Sequence, residues 1–382
     1  MTRSGRRFVY YGWIGQTSLG DEALYKAICG IFNSIDRSIE FIPVPADTYY
    51  GFQREYSPVT IVGGSTGIPD WMNCLWPTHY SYVFGSGVKD LSCYLYRYLL
   101  QRGLRVAVWI RRLRAFRYIG VRGELSKDTL ASLGLKSEVI GDPTFSLQPN
   151  CSAKRVEDKI AINLGSDGLL WGMNESIVFR EIAKVIRDLK KEGYTIVLIP
   201  FRQNNVSLMH ALAEKEGVSF FNDWFDMQST LDLIASCQLL IGERVHSLGL
   251  SAAAGTPFIG LDYQPPLYEI AQSVGFGNYT IRTDKVTEEK VTKKLDGLLD
   301  NYEEMQKKLK AKVSFYRRRQ AEFALRIVRD VETLPEGYWK TTGARKTMRE
   351  ISWKADALFS RKPTLWNAWD KLFFSHAIKY LP

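Results

Sequence analysis

Short apolar runs alternate with stretches in which apolar residues recur every three or four positions, and this alternation persists to about Leu334. In the first part, "RFVYYG", "IEFIPVP", "VTIVGG" and "YSYVFGSG" read as strands, and "SEVIGDP" closes the series. Each ends in glycine, proline or both, the usual punctuation of strand exits. From Ser176 to Lys191, Val178, Ile182, Val185, Ile186 and Leu189 fall on one stripe at helical period. "YTIVLIPF" follows as a buried strand, and "CQLLIG", "HSLGLSAAAG" and "TPFIGLDY" read as strand, helix, strand. Beyond Val286, lysine and glutamate predominate, which predicts long surface helices. Strands alternating with amphipathic helices predict parallel sheets covered on both faces. The polar stretch "SLQPNCSAKRVEDK" divides the pattern into two series. The expected architecture is α/β, with Rossmann-like doubly wound domains over residues 1–150 and 158–335 facing a central cleft, then a helical tail over 336–382.

Composition sharpens this picture in three ways. A length of 382 residues suits two domains, and 45% hydrophobic with 24% charged residues is globular rather than disordered. The net charge of +10 favours an anionic partner. Arg97 to Arg122 holds eight arginines and no acid, and the tail interleaves Trp353, Trp366 and Trp369 with lysines and arginines. These segments read either as solvated helix faces or as a peripheral docking surface for an acidic membrane, with no nucleic-acid motif beside them. Five cysteines without short spacing suggest neither a disulfide framework nor a zinc site. The basic start and the apolar run after it are too short for a membrane span, so they read as a first strand in a cytoplasmic protein.

Candidate chemistry gathers at the glycine-bearing strand exits, where doubly wound sheets bind ligands. In "YYGWIGQTSLGDEALYKAI", a loop with Gly12, Gly15 and Gly20 leads into a helix whose first turn carries Asp21 and Glu22. Acids there either orient a hydroxyl or simply complement the helix dipole. Gly63 and Gly64 offer a second close backbone approach. Arg122 ends a strand, as do Gly141, Asp142 and Pro143, and a cleft-facing arginine binds a carboxylate or phosphate through two parallel bonds unless a surface acid takes it. Arg244, Val245 and His246 open a helix of small residues. Taken as strand neighbours, Arg244 and His246 point to one side, so one holds an anion while the other handles its proton; a satisfied core histidine is the alternative. Asn163 and Trp171 are candidates to shape a pocket, and His79 is a lesser candidate.

Taken in order, "GQTSLGDEAL", "VGGST", "VRGELS", "GDPTF" and "RVHSLGLSAAAGTP" resemble the polysaccharide pyruvyl transferase family. The resemblance implies domains of the glycosyltransferase B type, the first on the acceptor side and the second on the phosphoenolpyruvate side. It implies transfer of a pyruvyl group from phosphoenolpyruvate to two hydroxyls of a sugar on a cell-surface polysaccharide or its lipid-linked precursor, leaving a ketal and phosphate, with phosphoenolpyruvate as donor and no cofactor; the sequence shows no metal-ligand cluster, so no metal is expected. The same resemblance implies donor contacts from Arg122, Arg244 and His246; from their places at the strand exits and helix starts, substrate contacts are expected from Gly15, Gly20, Asp21, Glu22, Gly63, Gly64, Asp142 and Val245. On that reading His246 protonates the methylene carbon while Asp21 or Glu22 assists the acceptor hydroxyl. The chain departs from the family pattern at Ser18, where asparagine is usual, at Gly123, where aspartate is usual, and in the glycine triplet at Val62 or Ser65. It also lacks the lysine that often follows the family's tyrosine. A nucleotide-sugar glycosyltransferase or a non-catalytic glycan-binding relative would share the architecture.

Overall fold

The structure is a computed structural model that describes residues 6–44, 59–64, 80–88, 110–150, 155–165, 171 and 175–334. His79, the tail over 336–382 and most of the arginine-rich segment before Ile110 lie outside these residues. The first sheet contains β1 (Arg6–Tyr11), β2 (Ile39–Val44), β3 (Val59–Val62), β4 (Tyr80–Ser86), β5 (Tyr118–Val121) and β6 (Glu138–Val139), all parallel in the order β2-β1-β3-β4-β5-β6. Helices α1 (Leu19–Ile35) and α2 (Glu124–Ser132) belong to this lobe. The second sheet contains β7 (Lys159–Asn163), β8 (Thr195–Leu198), β9 (Ser219–Phe220), β10 (Leu239–Gly242), β11 (Phe258–Asp262) and β12 (Thr280–Arg282), parallel in the order β12-β11-β10-β7-β8-β9. Around it run α3 (Glu175–Lys191), α4 (Gln203–Glu216), α5 (Met227–Ser236), α6 (Val245–Ala254), α7 (Pro265–Ser273) and α8 (Glu288–Leu299), and α9 (Tyr302–Glu332) ends the described chain.

This is the expected pair of doubly wound sheets. Strands β7, β10 and β11 are almost continuously buried, as parallel strands covered on both faces must be. The α3 stripe is buried at the five apolar positions its period marks, Val178, Ile182, Val185, Ile186 and Leu189. Strand order reverses between β1 and β3 and between β7 and β10. The carboxyl ends at such reversals are where these sheets leave room for ligands. Edge strands β9 and β12, of two and three residues, are too short to show a period.

One boundary differs from expectation. Met305, Leu309, Val313 and Tyr316 of α9 join the second lobe's core, whereas Phe323, Ala324, Ile327, Val328 and Val331 pack with Phe8, Tyr10, Phe32 and Phe84 of the first. At 1.5 Å rise per residue, a helix of 31 residues runs about 46 Å and outreaches a single lobe. Its end therefore belongs to the first lobe, not to a second domain ending at 335. Gln320 marks the crossing: its amide donates to the Asp142 carbonyl at 2.8 Å and accepts from the Ser146 hydroxyl at 2.5 Å.

Candidate functional site

At the β7/β10 reversal, Asn163 ties three strand ends together. Its Nδ2 donates to the Ile199 carbonyl at 2.9 Å, its carbonyl accepts from the Glu243 N–H at 3.0 Å, and its Oδ1 accepts from the Arg244 N–H at 3.0 Å. Glu243 Oε2 accepts from the Gly165 N–H at 2.7 Å. These bonds fix Arg244 as the residue that precedes the first turn of α6, and its Nη2 donates to Asn205 Oδ1 at 2.8 Å. Strand β10 ends at Gly242, so Arg244 and His246 are not strand neighbours. They share a helix start, whose dipole favours an anion.

His246 leaves this helix toward the other lobe. A Cβ on Gly20 would stand 2.1 Å from His246 Nδ1, so the bare glycine is what lets the imidazole settle on the start of α1. Two main-chain hydrogen bonds close the lobes there, Leu19 N–H to the Phe201 carbonyl at 3.1 Å and Gln203 N–H to the Thr17 carbonyl at 3.3 Å, and together they form an antiparallel bridge between Ser18 and Arg202. Asp21 is buried beside them and accepts from the Ser18 hydroxyl at 2.6 Å. Burial pushes its carboxyl above the usual range, against the pull of His246, the Ser18 hydroxyl, Arg202 and Arg244. Burial likewise depresses the His246 imidazole; Asp21 and Asp142 pull it up, while Arg122 and Arg244 push it down. Both groups are thus biased toward their neutral forms. His246 Nε2 is sealed from solvent and has no hydrogen-bond partner among the described residues.

Arg122 follows β5 and is fully buried. Its Nε donates to Glu269 Oε2 at 3.1 Å, and its Nη1 lies 3.7 Å from Asp142 Oδ2. Asp142 Oδ1 accepts from the Thr144 N–H at 2.9 Å and from the Thr144 hydroxyl at 2.5 Å, starting the 3-10 turn Pro143–Ser146. Gly249 on α6 admits that turn: a Cβ there would stand 2.4 Å from Thr144 Oγ1.

Of the residues expected at the site, Gly20, Asp21, Arg122, Asp142, Arg244 and His246 meet at this interface. The others have contacts of their own. Gly63 makes room for the Tyr10 ring, which a Cβ would approach to 2.6 Å. Gly64 takes φ 104° at the strand exit, and its carbonyl accepts from the Ser86 hydroxyl at 3.0 Å. Gly15 turns the α1 loop at φ 75°, and its N–H is held by Glu22 Oε1 at 2.8 Å, so Glu22 braces the loop. The Val245 side chain lies in the second core. The Arg282 guanidinium lies over the Trp171 ring at 4.2 Å. Sequence reasoning missed Asn205, Arg202 and Glu269. A signal for Glu269 existed, since it is an acid beside the buried Leu267, Ile270 and Ala271.

The parallel six-stranded sheets and the crossing last helix define an α/β protein of the glycosyltransferase B type. Solved structures share this fold at low identity. WaaG, a glycosyltransferase involved in lipopolysaccharide biosynthesis, matches with a TM-score of 0.51 and 14% identity, covering 84% of this chain and 99% of its own. The Staphylococcus aureus MnaA–UDP structure matches at 0.54 and 11% over 80% and 91%, and the Neisseria meningitidis UDP-GlcNAc 2-epimerase at 0.54 and 11% over 84% and 99%. The polysaccharide pyruvyl transferase family model matches residues 19–265, and the chain belongs to that transferase family. The amylovoran biosynthesis protein AmsJ of Erwinia amylovora is 25% identical over 137 residues, a match that spans 33% of this chain and 33% of that relative.

Proposed function

We propose that this chain transfers a pyruvyl group from phosphoenolpyruvate to two hydroxyls of a sugar, on a cell-surface polysaccharide or its lipid-linked precursor, releasing phosphate. One observation carries the reading: an imidazole, two guanidinium groups and a carboxyl from opposite lobes come within electrostatic reach at one buried point. Phosphoenolpyruvate is small and multiply anionic, which suits such a point.

The chemistry follows from the charges. A neutral imidazole beside a carboxylic acid holds the same number of protons as an imidazolium beside a carboxylate, so the pair titrates as a unit. Donor anions offset the arginines that add to burial in keeping His246 neutral, and the shared proton moves onto the imidazole. His246 then gives it to the methylene carbon, which becomes a methyl group. The first sugar hydroxyl adds to the central carbon and yields its proton to Asp21, restoring the neutral pair. The second hydroxyl displaces phosphate, its proton leaves with the phosphate, and the ketal is closed. The acceptor is met at the cytoplasmic face of the membrane, with the enzyme peripheral to it.

The test is purified protein with phosphoenolpyruvate and defined sugar acceptors. The expected result is a mass gain of one pyruvyl unit with equimolar phosphate release. Glycosyl transfer from nucleotide sugars, or no turnover of phosphoenolpyruvate with any acceptor, would overturn the proposal.

A further inference from the structure

We infer that Glu269 is a positioning residue for Arg122, its carboxylate reaching from the second lobe to hold the aim of the guanidinium; this rests on the donor reading above. Glu269 stands on α7 of the second lobe and is 3% exposed. Its stem passes over Gly123, where a Cβ would lie 2.4 Å from Glu269 Cγ. Beyond that point its carboxylate divides. Oε2 accepts from Arg122 Nε at 3.1 Å and Oε1 from the Ser126 N–H at 2.7 Å, both in the first lobe.

A guanidinium held at Nε cannot turn freely about its own axis, so its remaining N–H groups are presented in one orientation. That hold exists only while the lobes are together. When they part, Glu269 leaves with α7, and Arg122 keeps Asp142, which belongs to its own lobe. Gly123 is what makes the arrangement compatible with closure, because any side chain there overlaps the glutamate. A carboxylate at position 123 in place of 269 would reach the same neighbourhood from the other side.

Helix capping of α2 is the competing role, and relocation separates the two. Asparagine and aspartate cap a helix about equally well, but only aspartate carries charge. Glu269→Gly and Gly123→Asp are each expected to lower donor kcat/KM at least tenfold. The Gly123→Asp/Glu269→Gly double variant is expected to return to within threefold of wild type. The Gly123→Asn/Glu269→Gly double variant is expected to recover its unfolding midpoint but not donor kcat/KM. Equal recovery by the asparagine double, or no recovery by the aspartate double, would overturn the inference. If wild type does not turn over phosphoenolpyruvate, the donor reading alone has failed. Glu269 is then judged by the protection that inorganic phosphate gives against thermal unfolding, which must rank the variants in the same order; any other order overturns the inference.

Discussion

Arg122 and Arg244 reach one interface from opposite lobes and are held by different chemistry. Arg122 is sealed from solvent among the carboxylates of Glu269 and Asp142. Arg244 is set by amides: Asn163 Oδ1 takes its main-chain N–H and Asn205 Oδ1 its guanidinium. A carboxylate both orients a guanidinium and offsets its charge, whereas an amide orients it without offsetting it. Arg122 therefore also ties the lobes together through those carboxylates, and Arg244 is oriented by amides at the start of α6. His246 senses both, each lowering its proton affinity.

The largest expected effect tests whether this pair of arginines frames the chemistry at all. His246→Gln folds with an unchanged circular dichroism spectrum and loses about two to four orders of magnitude in turnover, the usual share of a general acid–base. Undiminished turnover would detach the interface from the reaction.

Next comes the contrast itself. Arg122→Met strands two buried carboxylates and costs about 3–5 kcal/mol in urea unfolding. Arg244→Met gives up a hydrogen bond to a neutral amide and costs about 1–3 kcal/mol, with its main effect on donor KM. Equal losses of stability would erase the distinction.

A smaller effect comes from Gly20. Gly20→Ala forces a methyl group into the His246 ring and costs about 1–3 kcal/mol of overpacking, read by urea unfolding. At Gly30 of the same helix a Cβ would meet nothing within 4 Å, and Gly30→Ala is expected to stabilise by about 0.5–1 kcal/mol.

The smallest effect is the pH dependence. Because the folded His246 is depressed, its contribution is complete above the ordinary value of about 6.5 and fades as pH falls toward the folded value, where the unfolded chain takes up a proton that the fold refuses. Asp21 runs oppositely: its carboxyl is raised, so its contribution is complete below the ordinary value of about 3.9 and fades as pH rises through the folded one. Urea titrations of wild type and His246→Gln between about pH 5 and 7 are expected to show a shallower acid loss in the variant. In an NMR titration, Arg244→Gln is expected to raise the His246 pKa and Asp21→Asn to lower it.

Much of this was legible in the chain. Periodicity marked the strands and α3, because burial on both faces leaves continuous apolar runs and burial on one leaves a stripe. The motif "SLGDE" and the pair Arg244 and His246 were visible as unusual chemistry beside strand exits. The glycines were less readable. Gly20, Gly63 and Gly123 look alike as letters, yet a Cβ on each would meet, respectively, a histidine, a tyrosine and a glutamate.

What the sequence determined by itself was local: which segments bury, which turn, and which short stretches join titratable groups to a strand end. Only the tertiary structure decided which partner each group meets. Glu269 lies 147 residues from the arginine it holds, and no local pattern constrains a contact across that separation. The crossing of α9 is of the same kind, since its length is written in the chain while the core that receives its end is chosen by packing.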